Sequence, residues 1–133
     1  MKNFLNMKTI LVDAVNTFVI KNEGIFDAMF KLLEKYPNPK IILTNADDEQ
    51  MEIFGLNNMP YQVFTLKHNP DKIDPQYYNI MLKNLNLNIN DVVYFEHNQE
   101  AVNSARLVGI NTFHYNQDKK NLIELKFFLD ENL

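Results

Sequence analysis

Val92-Val93-Tyr94-Phe95-Glu96-His97-Asn98 is the most informative stretch of the chain: a short run of β-branched and aromatic residues that stops abruptly at three polar ones. Such a run suits a parallel strand buried on both faces. Directly behind it, Ala101, Val102, Ala105 and Val108 recur at helical spacing, and Gly109 stands where a left-handed helix cap belongs. The unit reads as strand, polar turn, helix.

Working outward, the same unit recurs. Thr9–Val12, Ile41–Leu43, Gln62–Leu66 and Asn111–Tyr115 are short apolar runs of the same character, with Val92–Phe95 as the fourth of five in chain order. Between and after them, helices are predicted over Gly24–Tyr36, Asp47–Phe54, Pro75–Leu85, Gln99–Val108 and Lys120–Asp130. Asp74 before Pro75 reads as an N-cap followed by proline at the first helical position. Pro37 and Pro39 end the first helix, and Asn57, Asn58 and Pro60 form a turn cluster before the third run. Strands alternating with helices imply parallel βαβ units, hence a three-layer α/β fold, here expected as one domain over residues 1–133. No repeat or linker interrupts the pattern.

Composition removes several function classes. Of 133 residues, 46% are hydrophobic and 23% charged, as in ordinary globular proteins. A net charge of -4 argues against a nucleic-acid surface, which needs clustered Lys and Arg. There is no cysteine, so disulfides, thiolate metal sites and a cysteine nucleophile are excluded. No apolar run reaches the roughly 18 residues of a membrane span. Met1–Asn6 lacks the pattern of a signal peptide, and Met7 could serve as a second start. These features point to a cytoplasmic protein without a membrane partner. Asparagine is frequent but scattered among apolar residues, a compositional bias rather than a prion-like tract.

In sheets of this kind, chemistry collects beyond the carboxyl ends of the strands. The first strand runs into Asp13-Ala14-Val15-Asn16-Thr17, the second ends in Thr44-Asn45, and the fourth ends in Glu96-His97-Asn98. Lys72-Ile73-Asp74-Pro75 precedes the helix that feeds the fourth strand. Singly, each has a plain structural reading: Asp13 as a turn residue, Thr44-Asn45 as a helix cap, Lys72 as a solvated charge, Glu96 as a surface acid, and His97 as a packing residue. Together they suit phosphoryl transfer. A carboxylate can attack phosphorus, a hydroxyl and an ammonium can hold the equatorial oxygens, and a second carboxylate can share Mg²⁺. Backbone amides of the turn from Ala14 to Asn16 could add donors.

This ordered set resembles the four motifs of the haloacid dehalogenase (HAD) superfamily across nearly the whole chain. Ile10-Leu11-Val12-Asp13 resembles motif I, whose Asp is the nucleophile. Ile41-Ile42-Leu43-Thr44-Asn45 resembles motif II. Lys72-Ile73-Asp74-Pro75-Gln76-Tyr77-Tyr78 resembles motif III, and the Val92–Asn98 block with its helix resembles motif IV. The resemblance implies a Rossmann-like parallel sheet of core-strand order 5-4-1-2-3. It assigns Asp13 and Lys72 catalytic roles, and Thr44, Asn45 and Lys72 to a phosphoryl group. It also implies Mg²⁺ held by Asp13, the Val15 carbonyl and Glu96. The intervals where cap domains would be inserted are filled by core elements, so the chain is expected to be capless, with a short hairpin over Phe18–Gly24.

Two positions depart from the family pattern. Motif I is usually Asp-x-Asp, whose second Asp is the general acid and base; here that residue is Val15. Valine cannot carry a proton, and such catalysis is typically worth about 10²–10⁴-fold. Motif IV is usually Asp-Asp, here Glu96-His97. Mg²⁺ prefers oxygen ligands, so His97 suits a softer metal, a substitute acid–base role or a purely structural one. The expected protein is therefore a HAD-like hydrolase with weak or absent phosphatase activity, or a non-catalytic module that binds a phosphorylated ligand or a protein. Its partner would be a phosphorylated small molecule or macromolecule, another protein, or a second copy of itself. A receiver-like domain is the weaker reading, because receivers carry the phosphoacceptor after the third strand.

Overall fold

The alternation of buried runs and amphipathic stretches produces a five-stranded parallel sheet in the computed structural model, which describes residues 7–133. The expectations for Met1–Asn6 lie outside the described residues. In chain order the elements are β1 (Thr9–Asp13), the short strands β2 (Val19–Ile20) and β3 (Gly24–Ile25), α1 (Asp27–Leu33), β4 (Lys40–Thr44), α2 (Asp48–Ile53), β5 (Gln62–Thr65), α3 (Pro75–Asn84), β6 (Val92–Glu96), α4 (Gln99–Val108), β7 (Asn111–His114) and α5 (Leu122–Asn132). The sheet runs β5-β4-β1-β6-β7. Counting only the core strands, this is the order 5-4-1-2-3 read from its other edge.

β1 is central and wholly buried. Leu11 pairs with Ile41 of β4 on one side and with Tyr94 of β6 on the other. Side chains alternate across a strand, and the two cores follow that period. Ile10, Val12, Val93 and Phe95 face one layer with Met29 and Leu33 of α1 and Leu125 and Leu129 of α5. Leu11, Val92 and Tyr94 face the other, with Tyr77, Tyr78 and Met81 of α3 and Ala105 of α4. Each fully buried Leu, Ile or Phe contributes roughly 1.5–3 kcal/mol relative to exposure. That sum fixes register, because a one-residue slip would exchange the two faces.

Local chemistry sets the helix ends. The Asp74 side chain accepts from the Gln76 amide, and Pro75 opens α3. Asn98 caps α4, and Gly109 closes it at φ 108°. A β-carbon there would also lie 3.1 Å from Ile89 Cδ1, so both conformation and space favour glycine. Three boundaries differ from the sequence reading. Gly24 and Ile25 pair back with Ile20 and Val19 as an antiparallel hairpin, which delays α1 to Asp27. Asp47, rather than Thr44 or Asn45, caps α2, in a reciprocal capping box with Gln50. Lys120 takes a left-handed φ of 48°, so α5 begins only after Asn121, whose side chain accepts from the Ile123 and Glu124 amides. Among the described residues, no helix is long and apolar enough to cross a membrane.

Candidate active site

The carboxyl ends of β1, β4 and β6 open onto a cavity of about 190 Å³ whose wall includes Asp13, Val15, Asn45, Lys72, Glu96 and His97. Residues up to 84 positions apart in sequence are thereby brought together. Parallel pairing alone achieves this, because β1 and its two neighbours all end at the same rim.

Asp13 is buried, and its carboxylate is held from several directions. Lys72 Nζ donates to Oδ1 at 2.7 Å. Oδ2 accepts from Thr17 Oγ1 at 2.6 Å, from the His97 amide at 3.2 Å, and lies 2.5 Å from His97 Nδ1. Glu96, at 0% exposure, forms the second anion. Its Oε1 accepts from the Tyr94 hydroxyl and pairs with Lys72 Nζ at 2.7 Å. Its Oε2 accepts from the Asn98 amide at 3.0 Å and lies 3.3 Å from His97 Nδ1. Lys72 and His97 therefore each bridge both acids.

The electrostatics follow from this pairing. Burial opposes ionisation of Asp13, but the Lys72 ammonium and the His97 hydrogen bond outweigh it and hold the carboxyl well below its usual range. Burial likewise works against the charge on Lys72, yet Asp13 and Glu96 raise its pKa well above the ordinary value. For His97, burial again lowers the pKa, and its hydrogen bonds to the Asp13 and Glu96 carboxylates overcome it, raising it to about 9. Burial pushes the Tyr94 phenol up, which keeps it a donor to Glu96.

The β4 side is neutral. Asn45 Oδ1 accepts from the Lys72 amide at 2.7 Å and anchors the loop that carries the lysine. The Thr44 hydroxyl accepts from the Ala46 amide at 3.2 Å, and Thr44 is absent from the cavity wall. Val15 does line the cavity, two residues after Asp13, and packs partly buried against the core. The turn offers fewer free donors than expected, because the Ala14 amide is bonded to the Leu43 carbonyl and the Asn16 amide to the Val19 carbonyl.

Sequence reasoning missed three participants: Thr17, Tyr94 and Asn98. Tyr94 had a usable signal, since it lies two residues before Glu96 and so on the same face of β6. Thr17 and Asn98 act through turn geometry, which has no comparable periodicity. Asp13, Glu96 and His97 also form a compact group whose ligand atoms all lie within 4.8 Å of one another, close enough by distance alone to surround an ion.

No family model matches the sequence, and no curated protein does. Solved structures do resemble the fold. An uncharacterized protein from Corynebacterium glutamicum superposes with a TM-score of 0.66 at 18% identity, over 93% of this chain and 96% of the other. The phosphatase-domain-containing N-terminal part of BF1531 from Bacteroides fragilis, complexed with Mg, gives 0.62 at 16% identity, over 93% of this chain and 40% of that one. The core domain of a protein provisionally named a phosphoglycolate phosphatase, from Streptococcus pneumoniae, gives 0.56 at 12% identity, over 92% and 98%. With the sheet order and the strand-end positions already in place, the chain has the haloacid-dehalogenase-like fold of the hydrolases and phosphatases of that superfamily.

Proposed function

We propose that this protein is a capless HAD-type hydrolase with a partly degraded phosphatase site, one that holds a phosphorylated ligand but hydrolyses phosphomonoesters slowly or not at all. Val15 carries this reading. It lines the cavity beside Asp13, where a proton carrier would be needed, and it has no group that titrates. In this assignment Asp13 is the would-be nucleophile, forming an aspartyl-phosphate. Lys72 and Asn45 flank the phosphoryl group, and Thr44 supports that side from below. His97 is assigned a holding role, since its Nδ1 is anchored against Asp13.

The test is hydrolysis of a generic aryl phosphate by purified protein, with and without Mg²⁺. We expect turnover near background. Strong turnover that disappears in Asp13→Asn would overturn the degraded-site reading. Turnover that follows the titration of His97, and is lost in His97→Asn, would make that residue the substitute acid–base group.

A second reading, a non-catalytic module, is favoured by one observation: both Asp13 oxygens already accept from internal donors, a poor state for an attacking nucleophile. Both readings place the protein in the cytoplasm, with a phosphorylated small molecule or macromolecule as ligand and neither nucleic acid nor membrane as partner. The implied Mg²⁺ would fall to Asp13, the Val15 carbonyl and Glu96. Its fit is poor, because the two carboxylates are already neutralised and hydrogen-bonded by Lys72, His97, Thr17 and Tyr94.

A further inference from the structure

We propose that this site takes an oxyanion without a divalent cation, because the imidazole of His97 fills the place between Asp13 and Glu96 where the ion would sit. The inference deepens the phospho-ligand reading and rests on it. Distance alone does not decide the matter, since the three side chains are close enough together to surround an ion. The donor set decides it.

A cation needs lone pairs, and few remain. Asp13 Oδ2 has three donors around it, Thr17 Oγ1, the His97 amide and His97 Nδ1. Glu96 Oε1 has the Tyr94 hydroxyl and Lys72, and Oε2 has the Asn98 amide with His97 Nδ1 beyond it. Asp13 Oδ1 accepts from Lys72 and, like the rest of the carboxylate, is buried. The His97 nitrogen that faces the acids sits 2.5 Å from a carboxylate oxygen, which makes it a donor there and not a ligand. Mg²⁺ prefers oxygen and near-octahedral geometry, and here it would meet carboxylate oxygens that already accept hydrogen bonds, beside a nitrogen that points a proton at them.

Rearrangement is also opposed. Glu96 is fully buried, and its carboxylate is tied to its own strand through Tyr94 and to the start of α4 through Asn98. Turning it toward an ion would take the carboxylate acceptor from the buried Tyr94 phenol and one of the two carboxylates from the buried Lys72 ammonium. Lys72 is equally enclosed, at 6% exposure, and its charge would repel an ion placed between the acids it bridges. An oxyanion would be met from the open cavity by the Asn45 amide group and the His97 ring, which both line it. The Lys72 ammonium, whose three N–H groups face Asp13, Glu96 and the Leu43 carbonyl, would contribute its charge, with no second positive ion required.

The test uses the full chain and two probes. Mn²⁺ is titrated while water-proton relaxation is followed, and inorganic phosphate is titrated by calorimetry in EDTA and again in excess Mg²⁺. The expected results are no Mn²⁺ uptake and a phosphate affinity ratio of about one between the two conditions. His97→Asp should acquire Mn²⁺ uptake, because it replaces a donor with a ligand oxygen. Wild-type Mn²⁺ binding, or a phosphate affinity raised about tenfold or more by Mg²⁺, would overturn the inference and leave the phospho-ligand reading standing. Phosphate binding in neither condition would overturn both, so the two failures are distinguishable. The wild-type titrations decide the matter even where the variant does not fold.

Discussion

β4 and β6 lie on either side of β1 and both end in a polar pair, yet they treat Asp13 differently. The β6 side brings charge: Glu96 and His97 sit against Asp13 with Lys72 shared between the acids. The β4 side brings neutral scaffolding: Thr44 bonds to its own turn, and Asn45 holds the backbone of Lys72. One neighbour sets the electrostatic balance of the rim, and the other sets where its lysine can stand. Residues that look equivalent in sequence, a polar pair after a buried strand, therefore carry unequal energetic weight.

The sharpest way to break this contrast is Lys72→Met. Removing the one ammonium shared by two buried carboxylates should destabilise the fold by about 3–5 kcal/mol, read by urea denaturation. A neutral result would mean that the β6 side does not depend on that charge. Next in size is the pH response. His97 titrates at about 9 in the folded chain, above its ordinary value of 6.5. Its contribution is thus fully present below pH 6.5, declines as the folded state alone keeps the proton, and is gone above about pH 9. The denaturation midpoint should fall across that window, and His97→Asn should flatten the fall. If both proteins slope alike, another group is responsible.

On the β4 side smaller effects are expected. Asn45→Ala leaves the Lys72 amide without its acceptor and should cost about 1–2 kcal/mol, with a matching loss of phosphate affinity because the lysine is less well placed. Thr44→Val keeps the shape and loses one 3.2 Å bond, so about 0.5 kcal/mol is expected in the same denaturation assay, with phosphate affinity unchanged. Should Thr44→Val weaken phosphate binding more than Asn45→Ala, Thr44 would have to contact the ligand directly and the contrast would reverse.

Much of this is legible in the amino-acid sequence. The short buried apolar runs and the caps at Asp74 and Gly109 come from chemistry local to the chain, and they placed five strands and the strand ends at Asp13, Thr44 and Glu96 correctly. The hairpin was anticipated, but its return strand at Gly24–Ile25 was also read as helix, because an apolar pattern there fits either period. The delayed start of α5 depends on a single left-handed residue, Lys120, of a type that gives no such warning. At the site, the residue types and their strand-end positions were readable, whereas the saturation of the carboxylates was not. It depends on where Thr17, Tyr94 and Asn98 point, which only assembled backbone determines.

The sequence separations within the charged cluster also bear on folding kinetics. Asp13 meets Lys72 across 59 residues and His97 across 84, so neither pair can form until β1, β4 and β6 are docked in register. Contacts that close such long loops form late, after the entropy of closure has been overcome. The cluster should then be absent from the folding transition state. Lys72→Met would accelerate unfolding and leave the refolding rate nearly unchanged, making this rim a latch that governs how long the native state lasts rather than how fast it is reached.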